Sequence, residues 1–201
     1  MTLKALVLNC TLSPSPAESS TDVLSGQVLQ ALTKHDVQGS TIRVVDHDVR
    51  AGVEFDMGNV DEWPQIRQRI MDSDILVLAT PTWMGQQSSV CQRVLERLDA
   101  ELSETDEQGR LQTYGRVAIA VVVGNEDGAH HITSVIFQAL NDVGFTIPAS
   151  GGVYWNGEAM HTTDYKDLDE TPEKVASTTA SLAANAAHLA KLLKDHGYPP
   201  A

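Results

Sequence analysis

The residues of this sequence best placed for chemistry are mostly uncharged. Between Asn9 and Thr21 the stretch "NCTLSPSPAESST" offers the hydroxyls of Thr11, Ser13, Ser19, Ser20 and Thr21 and contains no Lys or Arg. Hydroxyls at the start of a helix sit beside unpaired N–H groups and about half a positive charge, and together these hold a phosphate without a cation. The patterns GxxxxGK[ST] and GxGxxG are both absent, so neither a nucleoside-triphosphate loop nor a dinucleotide fingerprint is indicated. Without a ligand, the same residues read as a solvated, proline-containing turn with ordinary capping groups.

Two further stretches suit the ring of a planar heterocycle. In "TPTWMG", Pro81 stiffens the turn, Trp83 offers a flat face, and Gly85 lets backbone N–H groups approach closely, with Thr82 and Met84 beside them. The competing reading makes Trp83 a lid packed on the sheet end. In "GNEDG", Gly124 and Gly128 bracket Asn125, a side-chain donor, and Glu126 and Asp127, which suit a helix amino terminus equally well.

Each stretch must follow a strand and open a helix to act this way. Leu3 to Leu8 is a short apolar run, as expected of a strand covered on both faces, and Ser20 to Lys34 carries a helical stripe with Asp22 in its first turn. Thr41 to Val45 reads as a second strand, followed by a polar connection over 46–59. Asp61 is expected to cap a helix with Pro64 in its first turn and Ile66, Ile70 and Met71 inward. "DILVLAT", Asp74 to Thr80, is the strongest strand signal and precedes a helix expected over Ser88 to Leu102. "RVAIAVVVG", Arg116 to Gly124, is a fourth strand. It leads to a helix with Ile132, Ile136 and Leu140 inward, a fifth strand supplied by Phe145 to Ile147 with Gly152 to Trp155 as a further part, and a closing helix from Pro172 to His196. Strands alternating with helices predict one α/β domain over 1–201, a doubly wound parallel sheet with helices on both faces and ligands beyond the carboxyl ends of its strands.

Composition narrows the function classes. The net charge of −13 repels phosphate backbones, which argues against nucleic acid as a partner. No apolar run approaches the about eighteen residues that span a bilayer, and no basic-then-apolar leader starts the chain, so a cytoplasmic protein with no membrane partner is expected. Cys10 and Cys91 lack CxxC spacing, which predicts small buried side chains and neither a disulfide nor a thiolate metal site. The seven histidines are scattered apart from His130 and His131, whose adjacency prevents both from facing one side of a helix, and "DHD" at 46–48 reads as a solvated loop. No metal site is expected. Tyr154, Trp155 and Tyr165 gather in one segment, either as a wall on the substrate side or as ordinary packing.

The three stretches, in this order and each after a strand, resemble the flavodoxin-like NAD(P)H-dependent FMN reductases, a family that includes quinone and azo reductases. The resemblance spans essentially the whole chain. It implies a flavodoxin-like five-stranded sheet of order 2-1-3-4-5. It also implies FMN phosphate held at Thr11, Ser13, Ser19, Ser20 and Thr21, and the flavin ring lined by Pro81, Thr82, Trp83, Met84, Gly85, Gly124, Asn125, Glu126, Asp127 and Gly128. NADPH or NADH would be the cosubstrate and a quinone, flavin, nitro or azo compound the acceptor. No side-chain catalyst is required, and a homo-oligomer, dimer or tetramer, is expected. Pro14 and Pro16 stand where many members have a glycine or a basic residue. A flavodoxin-type electron carrier is the alternative; a phospho-receiver domain would need acids after the first strand, where "NCTLS" has none.

Overall fold

In the computed structural model, which describes residues 2–58 and 60–201, five parallel strands form the sheet. They are β1 (Leu3–Asn9), β2 (Val37–Arg43), β3 (Ile75–Trp83), β5 (Val117–Val123) and β6 (Gly152–Trp155), in the order β2-β1-β3-β5-β6. A sixth strand of two residues, β4 (Gln86–Gln87), folds back antiparallel on β3. The expected order 2-1-3-4-5 is therefore present, with one short hairpin strand added. The helices are α1 (Ser20–Thr33), α2 (Trp63–Met71), α3 (Ser89–Leu98), α4 (Ala129–Asp142) and α5 (Glu173–Asp195).

Burial on both faces explains why the central strands are continuous apolar runs. All seven residues of β5 are buried, and alternate side chains enter two separate cores. One core takes Leu6, Leu76, Ala118 and Val122 with α2, α3 and α4; the other takes Val7, Val77, Ile119 and Val121 with α1 and α5. At about 1.5–3 kcal/mol for each buried large aliphatic side chain, these two layers supply most of the driving force for folding.

Several boundaries differ from the sequence reading, each for a tertiary reason. The strand expected at Thr41 to Val45 begins at Val37, because β2 is an edge strand whose exposed Gln38, Gly39 and Ser40 carry no apolar signal. Its ladder with β1, from Leu3↔Val37 to Asn9↔Arg43, sets its length. Phe145 to Ile147 is not a strand: Thr146 makes one bridge to Val117, and Gly152–Trp155 forms the fifth ladder. The helix expected to reach Leu102 ends at Leu98 and continues as a 3-10 turn to Ser103, which turns Glu101 inward to accept from Arg67 Nε and Nη2 at 2.6 and 2.9 Å. Asn59, the last residue of the expected polar connection, lies outside the described residues.

The N-cap of α2 is Glu62 rather than the expected Asp61, which stands one residue earlier and is held by buried partners instead. The Asp61 carboxylate accepts from the Trp63 N–H at 3.2 Å, from Met57 and Arg50 N–H groups at 2.8 and 3.2 Å, and pairs with Arg97 at 2.7 Å, with both side chains fully buried. Arg97 in turn donates to the carbonyls of Arg50 and Glu54, so this pair fastens the connection between β2 and α2 to α3. Burial pushes the Asp61 carboxyl up, but the Met57 N–H, the Arg97 guanidinium and the Arg50 and Trp63 N–H groups outweigh it and hold it below its ordinary value.

Candidate functional site

The loops after β1, β3 and β5 meet at the carboxyl end of the sheet, where such folds bind ligands. The first is organised from beneath. Fully buried Asn9 accepts the Thr11 N–H at 3.0 Å with its amide oxygen and donates to Asp22 with its amide nitrogen. Arg43, opposite Asn9 in the ladder, pairs with the other oxygen of Asp22 and donates to the carbonyls of Ala17 and Ser13 at 2.7 and 3.4 Å. The charge of Asp22, which would oppose an anion at the start of α1, is thereby offset.

Above this base several of the loop's donors have no partner in the protein among the described residues. Ser19 caps α1, its hydroxyl accepting the Asp22 N–H at 3.4 Å, and the N–H groups of Ser19, Ser20 and Thr21 have no protein acceptor among the described residues. The Thr11 and Ser20 hydroxyl oxygens accept backbone N–H groups, from Ser13 at 3.4 Å and Lys166 at 3.2 Å, and each retains its proton to donate. Thr11, Ser19 and Thr21 are buried, while Ser13 is exposed. Ser15 is directed elsewhere: its N–H and hydroxyl bind Asp46 at 2.8 and 2.6 Å, and these two bonds hold the Asp46 carboxyl below its ordinary value.

The second loop is a tight hairpin. Thr82↔Gln87 and Trp83↔Gln86 pair, leaving Met84 and Gly85 as a two-residue turn with φ of 52° and 73°. Positive φ at both central residues marks the primed hairpin turns, and a methionine held there stores about 1–3 kcal/mol of strain, as functional loops often do. Trp83 is 55% exposed and Met84 91%, so the indole is not a lid folded onto the sheet end. Ser88 closes the loop: its N–H donates to Thr80 Oγ1 at 3.0 Å, and its hydroxyl caps α3 and donates to the Cys10 carbonyl at 2.6 Å.

The third loop is pressed against the second. A Cβ on Gly128, whose φ is 129°, would lie 2.6–2.9 Å from three backbone atoms of Gly85, and one on Gly124 would lie 2.9 Å from Thr82 Cβ. Glu126 accepts the Gly85 N–H at 3.2 Å, and Asp127 accepts the Gly128 N–H at 2.8 Å, at the start of α4. Asn125 is turned away, with its side-chain amide donating to Asp164 at 3.2 Å and its backbone carbonyl accepting the Met160 N–H at 2.6 Å. The structure thus brings together the first-loop hydroxyls and the Trp83 to Gly85 and Glu126 to Gly128 turns, and commits the Asn125 side chain to the wall behind them.

Asn9, Arg43 and Ser88 were missed in the sequence reading. The signal for Arg43 lay in the strand order: with β2 beside β1, the last residue of β2 must stand at the root of the first loop. Cys10 and Cys91 are free and fully buried, as expected of small core side chains. They are also close neighbours, and burial, reinforced by the Cys91 thiol beside it, pushes the Cys10 thiol well above its ordinary value. Tyr165 is packed inside, with its hydroxyl donating to Gln27 at 2.6 Å, so it walls no open substrate surface. His130 and His131 do diverge, toward Tyr154 at 3.1 Å and Gln86 at 3.0 Å. No group of three or more potential metal ligands occurs among the described residues.

A parallel sheet of this strand order, with helices on both faces and three loops gathered at its carboxyl end, is the architecture of a flavodoxin-like protein. The profile of the NADPH-dependent FMN reductases matches residues 3–160, and the chain belongs to that family. It is 31% identical over 208 residues to an 8-demethyl-8-aminoriboflavin-5′-phosphate synthase of Streptomyces davaonensis, covering 98% of this chain and 81% of that protein. It is 39% identical over 199 residues to a Mycobacterium bovis protein named divalent metal cation transporter MntH, covering 96% of this chain but only 29% of that protein's length. No helix among the described residues is long and apolar enough to cross a membrane. The crystal structure of RosB with bound 8-demethyl-8-formylriboflavin-5′-phosphate superposes with a TM-score of 0.88 at 30% identity, covering 98% of this chain and 82% of that one. FerB, an NAD(P)H:acceptor oxidoreductase of Paracoccus denitrificans, shares the fold at a TM-score of 0.64 and 14% identity, covering 98% and 100%.

Proposed function

We propose that the chain binds FMN across the three loops and acts as an NAD(P)H oxidoreductase that reduces a small acceptor. The observation carrying this reading is the row of N–H groups without protein acceptors among the described residues at Ser19, Ser20 and Thr21, at the same end of the sheet as the two glycine-bearing turns and the exposed Trp83. The residues present fit the group. The first-loop N–H groups and the hydroxyls of Thr11, Ser13, Ser19, Ser20 and Thr21 would hold the phosphate, helped by the α1 dipole. Pro81 to Gly85 and Gly124 to Gly128 would flank the ring, with Trp83 covering apolar surface and excluding water. FMN so held would supply hydride and single-electron transfer, chemistry that belongs to the cofactor.

The chain's own part is positioning. Arg43 and Asn9 fix the phosphate loop, Ser88 ties that loop to the ring loop, and Glu126 locks the two ring loops together. No side-chain acid or base is assigned. We read the partner as a small-molecule acceptor, not nucleic acid or membrane, and the working form as a cytoplasmic homo-oligomer.

A second reading has a specific observation in its favour. The likeness to RosB, solved with a formylated flavin phosphate bound, and to a synthase named for an aminoriboflavin phosphate suggests that flavin phosphate serves here as a substrate. One experiment separates the two. Purified protein is titrated with FMN, NADPH or NADH is added anaerobically, and the flavin is then recovered for mass spectrometry after turnover in air. Rapid bleaching with FMN recovered unchanged supports the reductase. A flavin of altered mass supports the modifying enzyme, binding without bleaching or modification supports an electron carrier, and absence of FMN binding overturns the site.

A further inference from the structure

A separate cavity of about 340 Å³ lies at the end of β6, between the turn at Asn156–Gly157 and the first two turns of α5. Its volume falls within the range of small-molecule sites. The apolar wall is Trp155 with Pro172 and Val175; the polar lining residues are Asn156, Thr178 and Tyr154, and Lys174 is the one cationic residue among them.

The wall is firmly built. Trp155 packs against the ring of buried Tyr165, centroids 5.4 Å apart at 59°. Gly157, at φ 52°, brings the chain so close beneath the indole that any Cβ would lie 2.6 Å from Cζ2. The Trp155 carbonyl accepts the Gly124 N–H at 3.0 Å, which fixes the strand end to the third loop.

Charge then decides the ligand. Lys166 and Lys194 pair with Asp167 and Asp74, whereas Lys174 has no acidic partner within 4.0 Å among the described residues. Of the acids in this segment, Glu158 lies 3.1 Å from His161, Asp164 accepts from Asn125 and Asp167 pairs with Lys166, while Asp169, Glu170 and Glu173 are exposed, and none of them lies within 4.0 Å of the Lys174 ammonium. One ammonium, with no guanidinium fork and no second cation in the lining, matches a single negative charge. A phosphate dianion would be left half compensated in a chain of net charge −13.

From the flat wall and the single cation, we infer that this cavity binds a small aromatic monocarboxylate of about the size of benzoate. The ring would lie along Trp155 and Val175, and the carboxylate would meet Lys174, with Asn156 donating beside it. Flavin at the neighbouring mouth is not needed for this cavity to fill.

Calorimetric titration of the purified chain with sodium benzoate, benzamide and sodium acetate tests this, with tryptophan fluorescence followed in parallel. Benzoate is expected to bind with a Kd on the order of 1 mM or tighter. Benzamide, which lacks the charge, and acetate, which lacks the ring, should each bind about tenfold more weakly. Lys174→Gln should weaken benzoate about tenfold and leave benzamide unchanged, because an exposed lysine on a helix surface can be replaced without unfolding the chain. Trp155→Phe should abolish the benzoate-induced fluorescence change. No benzoate binding, equal binding of benzoate by the Lys174→Gln protein, or a full fluorescence change in the Trp155→Phe protein would each overturn the assignment.

Discussion

Gly128→Ala tests whether the contact between the second and third loops makes the flavin mouth. The new Cβ would stand 2.6 Å from Gly85 Cα, 2.7 Å from its oxygen and 2.9 Å from its carbonyl carbon, all backbone atoms that no rotamer change can clear. Restoring an ordinary contact of about 3.4 Å requires the loops to part by about 0.8 Å, which breaks the 3.2 Å bond from the Gly85 N–H to Glu126. Overpacking costs about 1–3 kcal/mol, and a side chain at φ 129° about 1 kcal/mol more. The total, about 2–4 kcal/mol, corresponds to a fall in Tm of about 4–16 °C for a chain of this size. A misplacement approaching 1 Å at a positioned site weakens its function by up to about a hundredfold, so FMN affinity is expected to fall about 10–100-fold. Flavin fluorescence quenching at low temperature, where the variant remains folded, measures that affinity separately from stability. Gly26→Ala is the control: its Cβ meets nothing within 4 Å inside α1, so it should raise stability by about 0.4–1 kcal/mol and leave FMN binding unchanged. If folded Gly128→Ala protein binds FMN within about twofold of the parent, the ring is not held between these two loops and the placement is wrong.

Two further predictions address the supports. Asp61→Asn leaves the Arg97 guanidinium buried without its anion, a loss of about 3–5 kcal/mol by chemical denaturation at pH 7. Because the folded Asp61 carboxyl lies below its ordinary value, its contribution is complete above about pH 4 and is lost as pH falls through the folded value, so the gap between parent and variant should narrow on acidification. Arg43→Gln removes the cation that offsets Asp22 and frees the carbonyls of Ser13 and Ala17; FMN affinity should fall about tenfold with a stability loss of about 1–2 kcal/mol, read by flavin titration and thermal melting.

Much of the layered fold was legible because the middles of β1 and β3 and all of β5 are buried on both faces and must be apolar there, a signal that needs no knowledge of neighbours. The edge strand β2 was read four residues short, since Gln38 to Ser40 owe their strand state to the ladder with β1 rather than to their own propensities. The site showed the same division. The hydroxyls of the first loop marked a candidate phosphate site, and the glycines of the other two announced a close backbone approach. The turning of Asn125 toward Asp164, the inward packing of Tyr165 and the pairing of Asp61 with Arg97 depend on partners 39, 138 and 36 residues away, in the case of Tyr165 its hydroxyl acceptor Gln27.

By itself the sequence determined the order of strands and helices, the two-faced burial of the central sheet and the three loops able to meet a ligand, because periodicity and turn chemistry act over a few residues. Only the tertiary structure decided that Arg43 lies beneath a loop without its own cation, that Gly85 and Gly128 touch, that Cys10 and Cys91 are buried together, and that Lys174 stands unpaired beside Trp155. Those relations arise from strand register and helix packing, which bring together residues that no local pattern connects.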